Sequence, residues 1–261
     1  MRIAFFGDSL TSGVPGSSYF AILRDRFPDD TLLNFGKGND TVVSLYHRIA
    51  AMRFDQPLDI AVLWIGVNDV LQADRWGVRA FHTLIGQRRA RDVEEFRSCY
   101  RATLDLLCAN AGRVIAAAPA LKGENPENPW NRQIANLARL IKEETAGREG
   151  AGFLDLRASF VRELAARPGS DYVPRNPLRV LMDGVALKTD EQVDATAAQR
   201  DLYLTLDGVH LNSAGAKLAA AELAARIEGE ASPLSPRRPS QFLSLIHIFL
   251  GRKVLSKQLP R

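Results

Sequence analysis

Short apolar runs alternate along the chain with segments that have the hydrophobic period of an α-helix. The apolar runs have the length of buried strands and occupy residues 3–6, 31–35, 60–65, 113–118 and 152–156. The helical segments are residues 19–26, 41–52, 93–109, 131–146, 158–166 and 214–227. Such alternation favours a parallel sheet covered by helices on both faces. The sequence therefore predicts an α/β fold: a three-layer α/β/α sandwich around a central, mainly parallel sheet of five strands.

One large domain fits the size and composition of the chain. Its 261 residues are 46% hydrophobic and 25% charged, which is enough to bury a substantial core. We assign residues 1–230 to this domain. Residues 231–261 differ in character, because a linker rich in Pro and Ser precedes an isolated apolar patch at residues 242–250.

The extension formed by residues 231–261 has two interpretations. Residues 243–248 resemble the translation of an adaptor used in sequencing libraries, so we expect the extension to be disordered or artefactual. The alternative is an anchor that touches a membrane, because basic residues flank the apolar patch. Stable insertion is not expected, since a helical span needs roughly 20 apolar residues.

The net charge of the chain argues against nucleic-acid binding. The chain carries +4, but residues 232–261 hold six basic and no acidic residues, so subtracting those six leaves the rest at −2. The six basic residues are Arg237, Arg238, Arg252, Lys253, Lys257 and Arg261.

A predicted strand that starts at residue 3 leaves no room for a signal peptide, and we expect a cytoplasmic protein.

Cysteine and histidine spacing predicts neither a disulfide nor a metal site. Cys99 and Cys108 fall on one predicted helix, where nine residues of rise separate them by about 13.5 Å, too far for a disulfide. The four histidines lack metal-ligand spacing; they are His47, His82, His210 and His247. We expect no metal and no cofactor.

Two short motifs supply the parts of a serine nucleophile and its base. Gly7-Asp8-Ser9-Leu10 directly follows the first predicted strand, and Asp207-Gly208-Val209-His210 lies near the end of the predicted domain. A serine hydroxyl needs an imidazole to take its proton and a carboxylate to orient that imidazole. Ser9, His210 and Asp207 can fill these roles. The alternatives are helix capping by Ser9, and capping by Asp207 or Asn212 of the helix near residue 214.

These motifs, together with Gly66-Val67-Asn68-Asp69 after the third strand, resemble in order and spacing the SGNH (GDSL-type) hydrolases. The resemblance covers residues 2–228. It implies a flavodoxin-like SGNH hydrolase fold and a cofactor-independent serine esterase. It also implies Ser9 as nucleophile, His210 as base and Asp207 as the carboxylate that orients His210.

The resemblance implies three donors for the oxyanion that forms when an ester carbonyl is attacked. They are the backbone N–H of Ser9, a backbone N–H after the second strand, and the side chain of Asn68, for which a plain turn residue is the alternative. Gly38 is our choice for the second donor. Asn39 is the alternative, because it falls where the family has glycine and Asn tolerates left-handed backbone.

Other residues near these motifs receive supporting roles. We expect Asp8 and Asp69 to accept hydrogen bonds from loop backbone and to stay outside the catalytic set. Two long connections, residues 71–92 with Trp76 and Phe81 and residues 167–206, are predicted walls or a lid of the substrate pocket. Ordinary surface excursions are the alternative.

The expected function is hydrolysis of a small-molecule carboxylic ester through an acyl-enzyme on Ser9. Candidate substrates are a short-chain acyl ester, an acetylated sugar, a thioester or a lysophospholipid. An acyltransferase with the same triad and a binding module that has lost catalysis are the alternatives. A nucleotide binder is disfavoured, since no Gly-x-Gly-x-x-Gly or Walker motif is present. The oligomeric state stays open.

Overall fold

The five strands form one fully parallel sheet in the computed structural model, which describes residues 1–70, 88–174 and 177–229. The strands are β1 (Arg2–Gly7), β2 (Thr31–Gly36), β3 (Leu58–Trp64), β4 (Ala111–Ala117) and β5 (Ala151–Leu154). Their spatial order is β2-β1-β3-β4-β5, and every neighbouring pair is parallel. This confirms the predicted five-stranded sheet.

Two groups of helices pack around the sheet. The described helices are α1 (Ser9–Ser12), α2 (Tyr19–Arg26), α3 (Val42–Ala50), α4 (Val93–Asn110), α5 (Pro129–Thr145), α6 (Leu156–Leu164), α7 (Pro177–Ala186), α8 (Asp190–Ala198) and α9 (Ser213–Gly229), with a 3₁₀ turn at Val67–Asp69. Helix α4 packs against α3 and α5, whereas α9 packs against α2, α6 and α8. The six predicted helices are all present.

Burial of the central strands requires helices on both faces of the sheet. In β1 every residue from Ile3 to Phe6 is fully buried, and β3 is buried at six of its seven positions. Successive residues of a strand point to opposite faces, so neither face is open to water. The edge strand β2 is only half-buried. The arrangement is the predicted three-layer α/β sandwich.

Helices α7 and α8 lie within the connection of residues 167–206 and were not predicted. The apolar residues of α7 do have the i, i+3, i+4, i+7 spacing of an amphipathic helix, which the sequence analysis missed, whereas α8 has only a weak apolar stripe. The large apolar side chains of α7 are 63–68% exposed; they are Leu178, Leu181, Met182 and Val185. In α8 only Val193 and Ala197 are buried.

Several predictions fall on residues that lie outside the described part of the chain. These are residues 71–87 of the wall or lid predicted for residues 71–92, with Trp76 and Phe81, and the extension of residues 231–261. Cys99 and Cys108 both lie on α4, and no disulfide joins them. Among the described helices, none has the length and apolar character needed to cross a membrane.

Candidate active site

Ser9 and Asn68 lie at the same edge of the sheet, the one formed by the carboxyl ends of its strands. Ser9 follows β1, Asn68 follows β3, and the strand order reverses between these two strands, where open α/β sheets form their ligand crevice. A Cβ on Gly7 would overlap Thr11 Oγ1 and the main-chain oxygen of Trp64. Glycine therefore lets the chain turn from β1 into α1 against the neighbouring strand.

Ser9 opens the single helical turn α1, and Asp8 is its N-cap. The Asp8 carboxylate accepts a hydrogen bond from Leu10 N at 3.0 Å. Gly13 ends the turn with left-handed backbone (φ 77°) and donates its N–H to Ser9 O at 2.9 Å. The alternative in which Ser9 is the cap is wrong, because Asp8 occupies that position. The Ser9 hydroxyl takes no part in capping α1 and can bind another partner.

That partner is His210. Ser9 Oγ lies 2.9 Å from His210 Nε2, and His210 Nδ1 lies 2.8 Å from Asp207 Oδ2. All three side chains are buried, with Asp207 only 1% exposed. The structure thus joins the three predicted residues in a hydrogen-bonded chain from hydroxyl to imidazole to carboxylate.

A tight turn fixes the carboxylate of Asp207. Its Oδ1 accepts hydrogen bonds from His210 N at 2.8 Å and from Val209 N at 3.1 Å, which leaves Oδ2 facing the imidazole. Asp207 does not cap α9. Asn212 does so, because its Oδ1 accepts a hydrogen bond from Gly215 N at 3.0 Å.

Burial and ion pairing oppose each other in the pKa values of His210 and Asp207. Burial lowers the pKa of His210, but the charge and hydrogen bond of Asp207, with help from Asp8 and Asp183, raise it above its usual value. Burial also disfavours ionised Asp207, yet the charge of His210 and the hydrogen bonds on the carboxylate lower its pKa overall. The pair therefore favours an ionised carboxylate beside a more basic imidazole.

Asn68 presents a side-chain amide beside the end of β1. It lies in the 3₁₀ turn after β3, and its Nδ2 donates to the main-chain oxygen of Asp40 at 2.9 Å. Arg48 in turn binds the Asp40 carboxylate at 2.7 Å. Asn68 does lie in a turn, which was the alternative role for this residue. Within that turn its amide is a neutral hydrogen-bond donor at the carboxyl edge of the sheet.

Between β2 and α3, a tight turn carries the two candidates for the middle oxyanion donor. Asp40 N donates to Lys37 O at 3.1 Å, and Lys37 N donates to Gly7 O at 3.1 Å. The left-handed backbone of this turn falls at Asn39 (φ 60°), while a Cβ on Gly38 would meet no atom within 4 Å. The glycine-type conformation is thus at Asn39.

Asp8, which is buried, and Asp69, which is half-buried, are carboxylic acids with raised pKa values. Burial raises the pKa of each to about 7, although Leu10 N donates to Asp8 and Val42 N donates to Asp69 at 2.9 Å. Both carboxylates accept hydrogen bonds from backbone N–H groups, but these two groups lie in the first turns of α1 and α3, whereas loop backbone was expected. Each therefore changes its charge near neutral pH rather than near pH 4.

The wild type is expected to lose folding stability as the pH rises, and replacing Asp8 with Asn is expected to reduce that loss. Below the ordinary pKa of 3.8 the carboxyl is protonated in both folded and unfolded chains; between 3.8 and about 7 only the unfolded chain releases the proton. The free energy of unfolding of the wild type therefore falls as pH rises through this window. Between pH 4 and 8, the wild type should lose roughly 5–10 °C more in Tm than Asp8→Asn.

The measurement is the difference in Tm between pH 4 and pH 8, by calorimetry, for wild type, Asp8→Asn and Asp25→Asn. Asp25 is exposed on α2 and serves as the control. Equal pH dependence in wild type and Asp8→Asn would contradict the raised pKa of Asp8.

Glu124 is a residue of this region that the sequence analysis missed. It lies in the loop after β4, and its carboxylate accepts four hydrogen bonds from residues 203–205, just ahead of Asp207. Its position after a strand end was the available signal, but nothing local to Glu124 indicates its distant partners.

Helix α7 contacts the segment that precedes Asp207 through a buried arginine. Arg200 donates from Nη1 to Leu206 O and from Nη2 to Asp183 Oδ2, both at 2.9 Å. Asp183 belongs to α7, and its charge contributes to the raised pKa of His210. Part of the connection of residues 167–206 therefore lies close to the triad, and its role as a pocket wall stays a prediction.

Comparison with known proteins gives a family match and several structural neighbours. Residues 5–218 match the model of the GDSL-like lipase/acylhydrolase family. No protein with a curated function matches the chain. The structural neighbours share low sequence identity with this chain, so their likeness is one of fold.

Three of these neighbours cover nearly the whole chain. The acetyl xylan esterase AlAXEase is 21% identical, with a TM-score of 0.61 over 87% of this chain and 100% of its own. LAE5, an alpha/beta hydrolase from the metagenome of Lake Arreo, Spain, is 22% identical (TM-score 0.60; 88% and 96%). Axe2, an acetylxylan esterase from Geobacillus stearothermophilus, is 18% identical (TM-score 0.58; 91% and 97%).

Proposed function

The chain belongs to the GDSL-like lipase/acylhydrolase family and is an ester-bond hydrolase, and from this premise we propose that it cleaves a carboxylic ester through an acyl-enzyme on Ser9. The single observation that carries the proposal is the hydrogen-bonded chain Ser9–His210–Asp207, with links of 2.9 and 2.8 Å. A buried chain of this kind supplies an activated hydroxyl without a cofactor.

In the first half of the reaction, His210 Nε2 takes the proton of Ser9 Oγ while Oγ attacks the ester carbonyl. Nδ1–H of His210 donates to Asp207, which keeps Nε2 available as the acceptor and stabilises the imidazolium that forms. The bond to the alcohol oxygen then breaks, and His210 gives its proton to the departing alcohol. The acyl group remains on Ser9 Oγ.

In the second half, water replaces the alcohol. His210 takes a proton from the water, whose oxygen attacks the acyl carbon, and the bond from that carbon to Ser9 Oγ breaks. His210 then returns the proton to Oγ. The sum is one ester and one water converted to one acid and one alcohol, with the enzyme unchanged.

Both tetrahedral intermediates carry a negative oxygen, for which we propose three donors. The backbone N–H of Ser9 and Nδ2 of Asn68 are two of them. Each well-placed donor contributes roughly 3–4 kcal/mol to transition-state stability. The third comes from Gly38 or Asn39, and the left-handed backbone at Asn39 favours that residue.

The substrate class that we propose to test first is the acetyl ester of a sugar. Two of the structural neighbours described above are named as acetyl xylan esterases, and this supports an acetyl group on the acid side. Other short-chain acyl esters, a thioester and a lysophospholipid remain candidates within the same mechanism.

The test is hydrolysis of p-nitrophenyl esters of increasing acyl length and of an acetylated xylo-oligosaccharide by the full chain. We expect turnover of p-nitrophenyl acetate on the order of 1 to 10³ per second. Activity should fall as the acyl chain lengthens if the site is built for acetyl groups. A maximum at long acyl chains would reject the acetyl ester in favour of a lipid-like substrate.

The same assay separates the proposed function from its two rivals. Adding an alcohol or a sugar and measuring the split between acid and new ester distinguishes hydrolysis from acyl transfer. Dominant formation of the new ester would make the protein an acyltransferase. A folded protein that turns over no ester would favour a transferase of narrow specificity or a binding module that has lost catalysis.

A further inference from the structure

Glu124 is a buried carboxylate whose hydrogen-bond partners all come from one short segment. Its Oε2 accepts from Tyr203 N at 2.7 Å, and its Oε1 accepts from Leu204 N at 2.8 Å and from both N and Oγ1 of Thr205 at 2.7 Å. Glu124 is 1% exposed, and among the residues that the structure describes it forms no ion pair. Three successive amide dipoles and one hydroxyl therefore stabilise its charge.

From Thr205 the contacts of Glu124 continue into the loop that carries the base. Because Thr205 Oγ1 donates its proton to Glu124, its lone pair faces Gly208 N, which donates to it at 3.0 Å. Gly208 lies between Asp207 and His210. A second bond holds the same loop, since Gly123 N donates to Gly208 O at 2.6 Å.

This loop needs such contacts because no strand of the sheet contains it. Asp207 and His210 lie between α8 and α9, where the only regular pairing among the described residues is the single bridge from Thr205 to Leu211. Ser9, in contrast, is fixed by β1. The bond from Gly208 N to Thr205 Oγ1 holds the turn of residues 207–210 that orients His210 toward Asp207, and the 2.9 Å contact with Ser9 also depends on how this loop is held.

Glu124 supplies a link between loop and sheet, since it follows β4 and is itself held in place. Asn131 of α5 donates from Nδ2 to Gly123 O at 3.1 Å and accepts from Lys122 N at 2.8 Å. Asn128 donates to Lys122 O at 2.9 Å. The segment around Glu124 is therefore held by the start of α5, independently of residues 203–205.

We propose that Glu124, acting through Thr205, is a positioning residue for the reaction: it holds the loop so that His210 meets Ser9. The proposal rests on the proposed esterase function. Glu124 touches neither Ser9 nor His210, and its effect on catalysis is on distance and orientation alone. Misplacement of a catalytic group by 1 Å can cost on the order of 10²-fold in rate.

Two substitutions weaken this link with little change of shape. Thr205→Val removes the hydroxyl that binds both Glu124 and Gly208 N. In Glu124→Gln the amide oxygen can replace Oε1, but the amide nitrogen then faces Tyr203 N–H, so one acceptor is lost and two donors oppose each other. Thr205→Ser restores the hydroxyl. Thr103→Val is the matched control, because Thr103 is equally buried and binds only Cys99 O within α4.

The experiment measures kcat, KM and the pH dependence of kcat/KM for the full chain on p-nitrophenyl acetate, well below each Tm. We expect Thr205→Val and Glu124→Gln to lower kcat roughly 10- to 100-fold with KM within about twofold. The acid limb should move to lower pH, because Asp207 raises the pKa of His210 only while their contact persists. Thr205→Ser and Thr103→Val should resemble wild type.

A second measurement does not require turnover. The Nδ1–H proton of His210 should give a low-field NMR signal in wild type and Thr103→Val that broadens or exchanges faster in Thr205→Val and Glu124→Gln. If the two variants only lose Tm, and keep wild-type kcat, pH profile and proton signal, Glu124 is merely structural and the proposal is overturned. If Glu124→Gln fails to fold, Thr205→Val decides.

Failure of this proposal is distinct from failure of the proposed function. An active wild type with unchanged kcat in both variants rejects the positioning role alone. A wild type that hydrolyses no ester rejects the function, and the proton signal still shows whether Glu124 holds His210 against Asp207.

Discussion

Replacing Ser9 with Ala is expected to lower kcat for p-nitrophenyl acetate by roughly 10⁴- to 10⁶-fold while the protein stays folded. The hydroxyl that would form the acyl-enzyme is lost, and His210 Nε2 loses its partner at 2.9 Å. Only substrate binding and the remaining oxyanion donors can then act on the ester. The measurement compares initial rates of the purified full chains, with circular dichroism as the test of folding.

Ser159→Ala is the control for the Ser9 variant. Ser159 is a buried serine on α6 whose hydroxyl binds Glu222 at 2.7 Å, away from the triad. Its replacement should leave kcat near the wild-type value. If Ser9→Ala kept more than about a hundredth of wild-type kcat, Ser9 would not be the nucleophile.

Replacing Asp207 with Asn is expected to lower kcat by roughly 10⁴-fold. Two backbone N–H groups, from Val209 and His210, point at Oδ1 and will keep the amide oxygen there. The amide nitrogen must then occupy the Oδ2 position and donate to His210 Nδ1. His210 would carry its proton on Nε2, the wrong nitrogen to accept the proton of Ser9.

The test measures kcat for Asp207→Asn beside Asp155→Asn, at several pH values. Asp155 caps α6 by accepting from Ala158 N at 3.0 Å, and Asn caps helices about as well, so this control should keep wild-type activity. An Asp207→Asn enzyme within tenfold of wild type would remove Asp207 from the mechanism. The loss is expected at every pH, because it comes from a tautomer rather than from a titration.

The parts of the fold that could be predicted are those whose cause is local. Strands β1 and β3 are buried on both faces, which forces continuous apolar runs such as Ile3–Phe6. Helix α5 has a buried apolar face and begins after an Asn cap followed by Pro. Each of these signals lies within the element that it predicts, and the observed ends of the strands agree with the predicted ones to within two residues.

What could not be predicted depends on contacts between distant residues. Helix α7 has the apolar spacing of a packed helix, but its large apolar side chains are mostly exposed, and its Asp183 binds the buried Arg200 instead. Glu124 binds a segment about 80 residues away in sequence. The two motifs identified Ser9 and His210 as candidates, but no pattern in the sequence gives the distance between them, which follows only from packing.

The nucleophile and its base are 201 residues apart in the chain. Ser9 leaves the ribosome early in synthesis, whereas His210 follows after every strand of the sheet has been made. The growing chain therefore carries a serine with ordinary hydroxyl chemistry for most of its synthesis. Under the proposed mechanism, Ser9 gains its base only when the loop of residues 207–210 packs beside the end of β1, after every strand of the sheet has been made.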